Sequence, residues 1–536
     1  MMEIETLVLQ NENKVLHAYT NDDQFIHTFF DYKNEAASYS QRIEELSERN
    51  YSRMQLAEVI RSYMEPFGIS AQASKHIEEL ADDGVVVIGG QQAGIMTGPL
   101  YSIHKAVTVL ILAEQQREQL DIPVIPVFWV AGEDHDLNEI NHVYTETAGK
   151  VTKKQYDEKF VFKWMASDAA YTEAQMVSFV EDIFRQFGEN THTKALKQDV
   201  LEAVKLEKTF TSFFVRLMNG LFKEKGLLFI DSAYKPLREI ETEHFYKLIC
   251  ESEKLSEMIV CKENDFEDRG FVRPIQAQRD AANLFYVHET GRVLLSKRDG
   301  QFVNDSLGIR FTEEEMISMA TEQPWMLSNN VATRPIMQDF VFPVLAFVGG
   351  AGEIAYWALL KESFHHLGIK MPIIVPRISM TLVTPKVQQL LKELSLTVED
   401  VMAGKVHEDR ESLLESLHNE DFENLLKETE QRLDRSYTEL MSEASKGMQQ
   451  ILQKNLKLHK KQFDYLRGKM EEELLIQNDV TLQKYSKVEN ELLPEGSLQE
   501  RIFTPYFFMN SYGNSLVDDL LQQTIAMDNT HKIVYL

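Results

Sequence analysis

Short apolar runs recur along this chain with helical patterns between them, and this alternation constrains the fold more than any other feature. The runs are GVVVIGG (84–90), IPVIPVFWV (122–130), GLLFIDS (226–232), FVFPVLAFVGG (340–350) and MPIIVP (371–376). Helical stretches begin at 101, 210 and 353, as YSIHKAVTVLILAEQQREQ, FTSFFVRLMNGLFKEK and EIAYWALLKESFHHLG. A strand covered by helices on both faces reads as an unbroken Val/Ile/Leu/Phe run rather than an alternating one. The five runs are therefore expected in one central parallel sheet, a doubly wound α/β core.

A chain of 536 residues exceeds what one hydrophobic core holds, so further substructures are expected. The core is assigned to 1–144, 207–259 and 326–385, interrupted by two lobes. Residues 145–206 carry charged helical stretches such as AQMVSFVEDIFRQF and read as a mainly helical insertion. Residues 260–325 contain NLFYVHETGRVLLSKRDGQFVND, alternating β-formers with turns at Thr290-Gly291 and Asp299-Gly300, and read as a β-rich insertion. From 386 to 493 there is no proline, and Leu426, Leu433 and Leu440, then Ile451, Leu458 and Tyr465, recur every seven residues. That spacing predicts a helical coiled-coil arm, with Gly447 as the turn of an antiparallel hairpin and a homodimer formed through the exposed stripe. Residues 494–536, after Pro494-Glu495-Gly496, are expected to return to the core.

The charge balance narrows the partners. With 84 acidic against 56 basic residues the average surface repels a phosphate backbone, so nucleic acid is not an expected partner. The N-terminus lacks the basic-then-apolar order of a signal peptide, and no apolar run is long enough to span a bilayer. A cytoplasmic protein without membrane contact is expected, with Cys250 and Cys261 as unpaired structural thiols.

Three segments carry candidate chemistry. GGQQAGIMTGPLYSIHKA (89–106) follows an apolar strand and opens a helix, an anion-binding arrangement of backbone N–H groups and positive dipole end. It lacks the Gly-Lys-Ser/Thr of a Walker loop. Gly90, Gly94, Gly98, Tyr101 and Lys105 are therefore candidate nucleotide-binding residues, His104 a candidate catalytic one, and Gln91 and Gln92 candidate substrate contacts. The stretch TGPLYSIHK is also similar to the signature of class I aminoacyl-tRNA synthetases, with Tyr101 in place of the first histidine and His104 matching the second. Arg377-Ile378-Ser379-Met380 faintly echoes that family's second signature.

WVAGEDHDLNEINH (129–142) lies at the carboxyl end of a core strand, where ligands of open α/β sheets bind. His135 is expected as a general base and Asp136 as its catalytic companion. Glu133, Asp134 and Asn138 are expected to bind substrate, and Asp134, His135 and Asp136 could alternatively hold Mg²⁺. GGAGEIAYW (349–357) fits the dinucleotide fingerprint but is followed by Arg377 instead of an acidic ribose ligand. It is read as a pocket wall with Glu353 and Tyr356 facing inward. In SNNVATRPIMQD, Arg334 is placed to pair with a substrate carboxylate bidentately.

GGQQAGIMTGPLYSIHK, WVAGEDHDLNE, RPIMQDFVFPVLAFVGGAGEIAYW and LPEGSLQERIF, in this order over the whole chain, resemble the BshC family of bacillithiol biosynthesis. The resemblance implies a Rossmann-like core, two connecting insertions and a dimerising coiled-coil arm. It also implies a ligase that adds cysteine to glucosaminyl-malate, the last step in making that thiol. Amide formation needs the cysteine carboxylate turned into a better acyl donor, and on that chemical ground ATP with Mg²⁺ is the expected means of activation. Outside the resemblance, the motifs leave open another class I-like nucleotidyltransferase, a dinucleotide-dependent oxidoreductase, or a helical scaffold without catalysis.

Overall fold

A computed structural model of the chain describes residues 2–9, 13–147, 149–157, 163–417 and 420–536. The chain divides into two compact units, Met1–Thr147 with Val151–Leu382 and Ser497–Leu536, and Val383–Gly496 with Ala148–Lys150.

The apolar runs form a five-stranded sheet in the first unit. Its order across the sheet is Ile373–Pro376, Val344–Gly349, Val85–Gln91, Val124–Val130, Leu228–Asp231. Every neighbouring pair is parallel. All residues of Val124–Val130 and of Val344–Gly349 are buried, which is why these strands read as continuous apolar runs. The chain winds outward from the central strand Val85–Gln91 through Val124–Val130 to Leu228–Asp231. It then returns to the other side of the first strand for Val344–Gly349 and Ile373–Pro376. Winding therefore reverses between Val85–Gln91 and Val344–Gly349. A crevice opens at the carboxyl ends of strands at such a reversal, because the flanking connections leave in opposite directions.

The helix Tyr101–Leu120, which follows the central strand, buries Ile103, Val107 and Leu112 in the core of this unit. The β-rich segment forms a second sheet of Ala281–His288, Gly291–Arg298, Gln301–Asn304 and Ile309–Phe311, all antiparallel, joined on its other edge by Leu327–Asn329. Asp299 and Gly300 both have positive φ, the requirement of the tight two-residue turn expected there. The first turn lies one residue earlier than expected, at Glu289-Thr290, since Gly291 already pairs with His288. The segment 145–206 contributes the helices Glu173–Phe187 and Thr193–Leu206. The C-terminal strand His531–Tyr535 lies between Glu3–Leu7 and Ser379–Val383, so the last segment does return to this unit.

The second unit is helical, and its longest elements, Glu420–Ser442 and Lys446–Gln477, form an antiparallel hairpin. Asp434 pairs with Lys460 at 3.0 Å and Glu430 with Arg467 at 2.7 Å, so positions fall along one helix as they rise along the other. The turn occupies residues 443–445, and Gly447 is already helical, a correction to the expected turn. The expected seam also shifts. Leu426 is buried and Leu433 half-buried, but on the second helix Leu452, Leu456, Phe463, Met470 and Leu474 are the half-buried apolar residues. They share a face with Lys460 and Arg467. Ile451, Leu458 and Tyr465 lie on another face, 62%, 54% and 58% exposed, and Leu440 is exposed as well.

Candidate active site

The reversal of winding opens onto a cavity of about 720 Å³ in the first unit. The end of the central strand supplies Gly90, Gln91 and Gln92, and the helix after it Tyr101 and Lys105. Trp129, Ala131 and Asp134 come from the next strand and its loop, and Gly349, Gly350, Glu353 and Tyr356 from the strand across the reversal and the helix after it. Arg334, Arg377, Ser379, Glu500, Arg501 and His531 complete the wall, with Leu7, Val8 and Asn13 at the N-terminal side. Gly90 is required where it stands: a Cβ there would lie 2.6 Å from the Trp129 carbonyl oxygen.

Lys105 sits at the floor. It is buried, and its ammonium donates to the Gly90 carbonyl at 2.6 Å, to Gln91 Oε1 at 3.2 Å and to the Glu353 carboxylate. Burial pushes the lysine below its ordinary range, opposed by Glu353. With all three protons directed at acceptors, it acts as a fixed cation that orients Glu353 and Gln91. Glu353 Oε2 also accepts the Gly350 N–H at 2.8 Å, capping the helix Ala351–Trp357.

Asp134 accepts from Gln92 Nε2 at 2.7 Å and from the Asp136 N–H at 3.2 Å. Burial works to raise its carboxyl, and these donors outweigh it, so the group is held below its usual range. The Gln92–Asp134 contact joins the 89–105 loop to the loop after Val124–Val130. Arg334 is half-buried and forms no ion pair with a carboxylate among the described residues; the Tyr356 hydroxyl, raised to about 12 mainly by burial, lies against it.

A second layer fixes the wall opposite. Glu500 is buried and accepts from Arg377 at 3.0 and 2.6 Å, from His104 Nδ1 at 2.9 Å and from the Met380 N–H at 3.1 Å. Burial alone would raise Glu500, but Arg377 and His104 hold it well below the carboxylate range. Burial pushes His104 down, so the pair is a neutral imidazole donating to a carboxylate. The Arg377 guanidinium lies 5.8 Å from the centre of the Tyr101 ring. His531 is held by Ser379 Oγ at 2.9 Å and Thr381 Oγ1 at 2.8 Å and is pushed down to about 4 by burial.

Of the residues expected at the site, Gly90, Gln91, Gln92, Tyr101, Lys105, Asp134, Arg334, Glu353 and Tyr356 line this cavity. The others lie elsewhere, each for a physical reason. Gly94 and Gly98 build the tight turn before the helix: a Cβ on Gly94 would meet the Gly98 Cα at 2.7 Å, and Gly98 has a φ of +67°. His104 is wholly buried behind Glu500. Glu133 is buried as well, its Oε2 accepting from Arg238 and from Ser328 Oγ. His135 packs edge-on against Phe285, centroids 5.7 Å apart. Asp136 and Asn138 are exposed around the short helix Leu137–Ile140. Asp134, His135 and Asp136 do not converge into a group placed to hold a metal ion among the described residues.

Glu500, Arg501 and His531 were not singled out by motif as site residues, and Arg377 and Ser379 entered only through the echo of the second class I signature. The signal for Glu500 and Arg501 lies in LQERIF, where an acid and an arginine interrupt an apolar stretch.

Models of two domains match this chain end to end. Residues 2–378 match the N-terminal Rossmann-like domain of bacillithiol biosynthesis BshC, and residues 380–536 its C-terminal coiled-coil domain. A protein of Lysinibacillus sphaericus (strain C3-41), provisionally named cysteine ligase BshC, is 41% identical over 538 residues, covering all of both chains. Proteins with the same provisional name from Geobacillus sp. (strain WCH70) and Bacillus velezensis (strain DSM 23117 / BGSC 10A6 / LMG 26770 / FZB42) are 34% and 32% identical, again over the whole of each chain. With a parallel sheet, a helical hairpin unit and this full-length similarity, the chain belongs to the BshC family of ligases of bacillithiol biosynthesis.

Proposed function

We propose that the cavity at the winding reversal joins the carboxyl group of cysteine to the amine of glucosaminyl-malate. The observation that carries this reading is Arg334, a half-buried guanidinium in the cavity wall that makes no direct ion pair with a described carboxylate and feels Glu133 and Asp134 only through space. A guanidinium with no direct carboxylate partner can receive one bidentately, and the malyl group brings two. Asp134, kept as a carboxylate, suits the ammonium of cysteine. Gln91 and Gln92 present amide groups beside it.

Amide formation requires the cysteine carboxyl to become a better acyl donor, and ATP with Mg²⁺ is the proposed means. The cations of the wall limit where its phosphates bind. Lys105 and Arg377 are paired with Glu353 and Glu500, whereas Arg501, exposed beside Tyr101, forms no ion pair among the described residues. Arg501 and Tyr101 would hold the nucleotide, which when bound supplies the phosphate leaving group. The chain's own residues orient: Lys105 fixes Glu353 and Gln91, Arg334 fixes the sugar conjugate, and the apolar walls exclude water.

The arm is proposed to form a homodimer, supported by the outward apolar row of Ile451, Leu458 and Tyr465. Two cysteines without a disulfide suit the cytoplasm. Incubation of the purified protein with cysteine, glucosaminyl-malate and Mg-ATP, followed by mass spectrometry, tests the reaction. The expected product is the amide conjugate together with AMP or ADP. Unchanged substrates over a folded protein would end this reading.

A further inference from the structure

We infer that Glu353 is the base that takes the proton from the attacking nitrogen of the sugar substrate, an inference that rests on the ligation reading above. A base for this proton must be a group of the cavity wall with a lone pair to offer. No histidine of the wall does, because both ring nitrogens of His531 are held by Ser379 and Thr381. His104 and His135 do not line the cavity.

Four carboxylates line it. Asp134 has one donor on each oxygen. Glu500 accepts four hydrogen bonds. Asp528 has Lys532 and Thr530 on Oδ1 alone, and its side chain is 45% exposed. Glu353 also leaves one oxygen open, and of the two it is the one on the short helix whose Tyr356 meets Arg334. Its Oε2 takes Lys105 and the Gly350 N–H, which fixes the side chain, while Oε1 accepts no hydrogen bond from a described residue. The side chain is 23% exposed, against 2% for its lysine partner, so the pair shows its carboxylate and hides its ammonium.

The neighbours give this oxygen a direction. Tyr356 lies three residues on along the same short helix and meets Arg334. A substrate anchored by a carboxylate on Arg334 therefore lies along the wall that presents Glu353. The nitrogen lone pair forms the C–N bond to the cysteine acyl carbon, and the acyl C–O bond breaks with its electrons passing to the phosphate leaving group, which derives from a nucleoside triphosphate. The proton shed by the nitrogen goes to Glu353 Oε1. Lys105 keeps the carboxylate in place and is a positioning residue.

The test compares Glu353→Gln, Glu353→Asp and Glu353→Ala with the wild-type chain, using cysteine, glucosaminyl-malate and Mg-ATP for turnover and calorimetry for glucosaminyl-malate binding. Glu353→Gln is expected to lose roughly 10²–10⁴-fold in turnover. Its affinity for glucosaminyl-malate should stay within about threefold, because Arg334 supplies the anchor. Glu353→Asp should lose less than Glu353→Gln, and formate should restore part of the activity of Glu353→Ala. Turnover of Glu353→Gln within about threefold of wild type would overturn the inference. So would equal losses in the Asp and Gln variants, or a loss of turnover matched by a loss of binding. If the wild-type chain itself does not bind glucosaminyl-malate, the ligation reading fails and this inference with it.

Discussion

Lys105 is the residue whose meaning changes most between sequence and fold. In the sequence it is a lysine near a helix start after a glycine-rich loop, the place where a phosphate is commonly gripped. In the fold its three protons go to Gly90, Gln91 and Glu353, and the cation serves the wall rather than a ligand. His135 changes in the other direction, from candidate base to a ring packed on Phe285 outside the cavity. Replacing His135 with alanine is therefore expected to leave turnover within about threefold of wild type and to cost on the order of 1 kcal/mol of stability, an ordinary value for a partly buried side chain. Steady-state kinetics and thermal melting check this; a hundredfold loss of turnover in a folded variant would put the histidine back in the site. Residues adjoining an apolar strand run, such as Gly90, Gln91, Gln92 and Glu353, were legible because strand ends and sites coincide in this architecture. Glu500 and His531 were not, since their importance depends on contacts more than a hundred residues apart for which no local spacing exists.

At the scale of elements, the five core strands were legible from apolar continuity, and the β-meander from alternation and its turns. The strand His531–Tyr535 was harder to read, because it is buried only in combination with Glu3–Leu7 and Ser379–Val383, drawn from both ends of the chain. This strand ties its sheet to acid stability. Burial lowers His531 from its ordinary 6.5 to about 4 in the fold, so below pH 6.5 the unfolded chain takes up the proton first. Its contribution is whole above about pH 6.5 and is lost as the pH falls toward 4. It amounts to roughly 3 kcal/mol at full titration, since tenfold in proton affinity is about 1.4 kcal/mol. His531→Gln should flatten the fall of melting temperature between pH 6.5 and 4, even if the variant is less stable at pH 8. Parallel curves for the two proteins would show that this histidine does not govern the acid limb. The hairpin of the second unit was legible as an element, but its facing side was not. Seven-residue recurrence identifies a stripe without saying which neighbour covers it.

For the whole molecule, that uncovered stripe leads to a prediction about assembly. A homodimer joined through the arm should scatter light at twice the 62.0 kDa chain mass, and replacing Ile451 and Leu458 together with glutamate should reduce it to one chain without melting the core. A wild-type monomer at micromolar concentration would contradict this. If the cavity at the winding reversal recognises the sugar conjugate through Arg334, calorimetric titration of glucosaminyl-malate separates Arg334→Gln from the wild-type and His135→Ala proteins. Loss of a charge-assisted pair at this depth is worth about 1.5–3 kcal/mol, so Arg334→Gln should bind roughly 10–100-fold more weakly. His135→Ala should bind like wild type. Equal affinity of wild type and Arg334→Gln for glucosaminyl-malate would contradict the account.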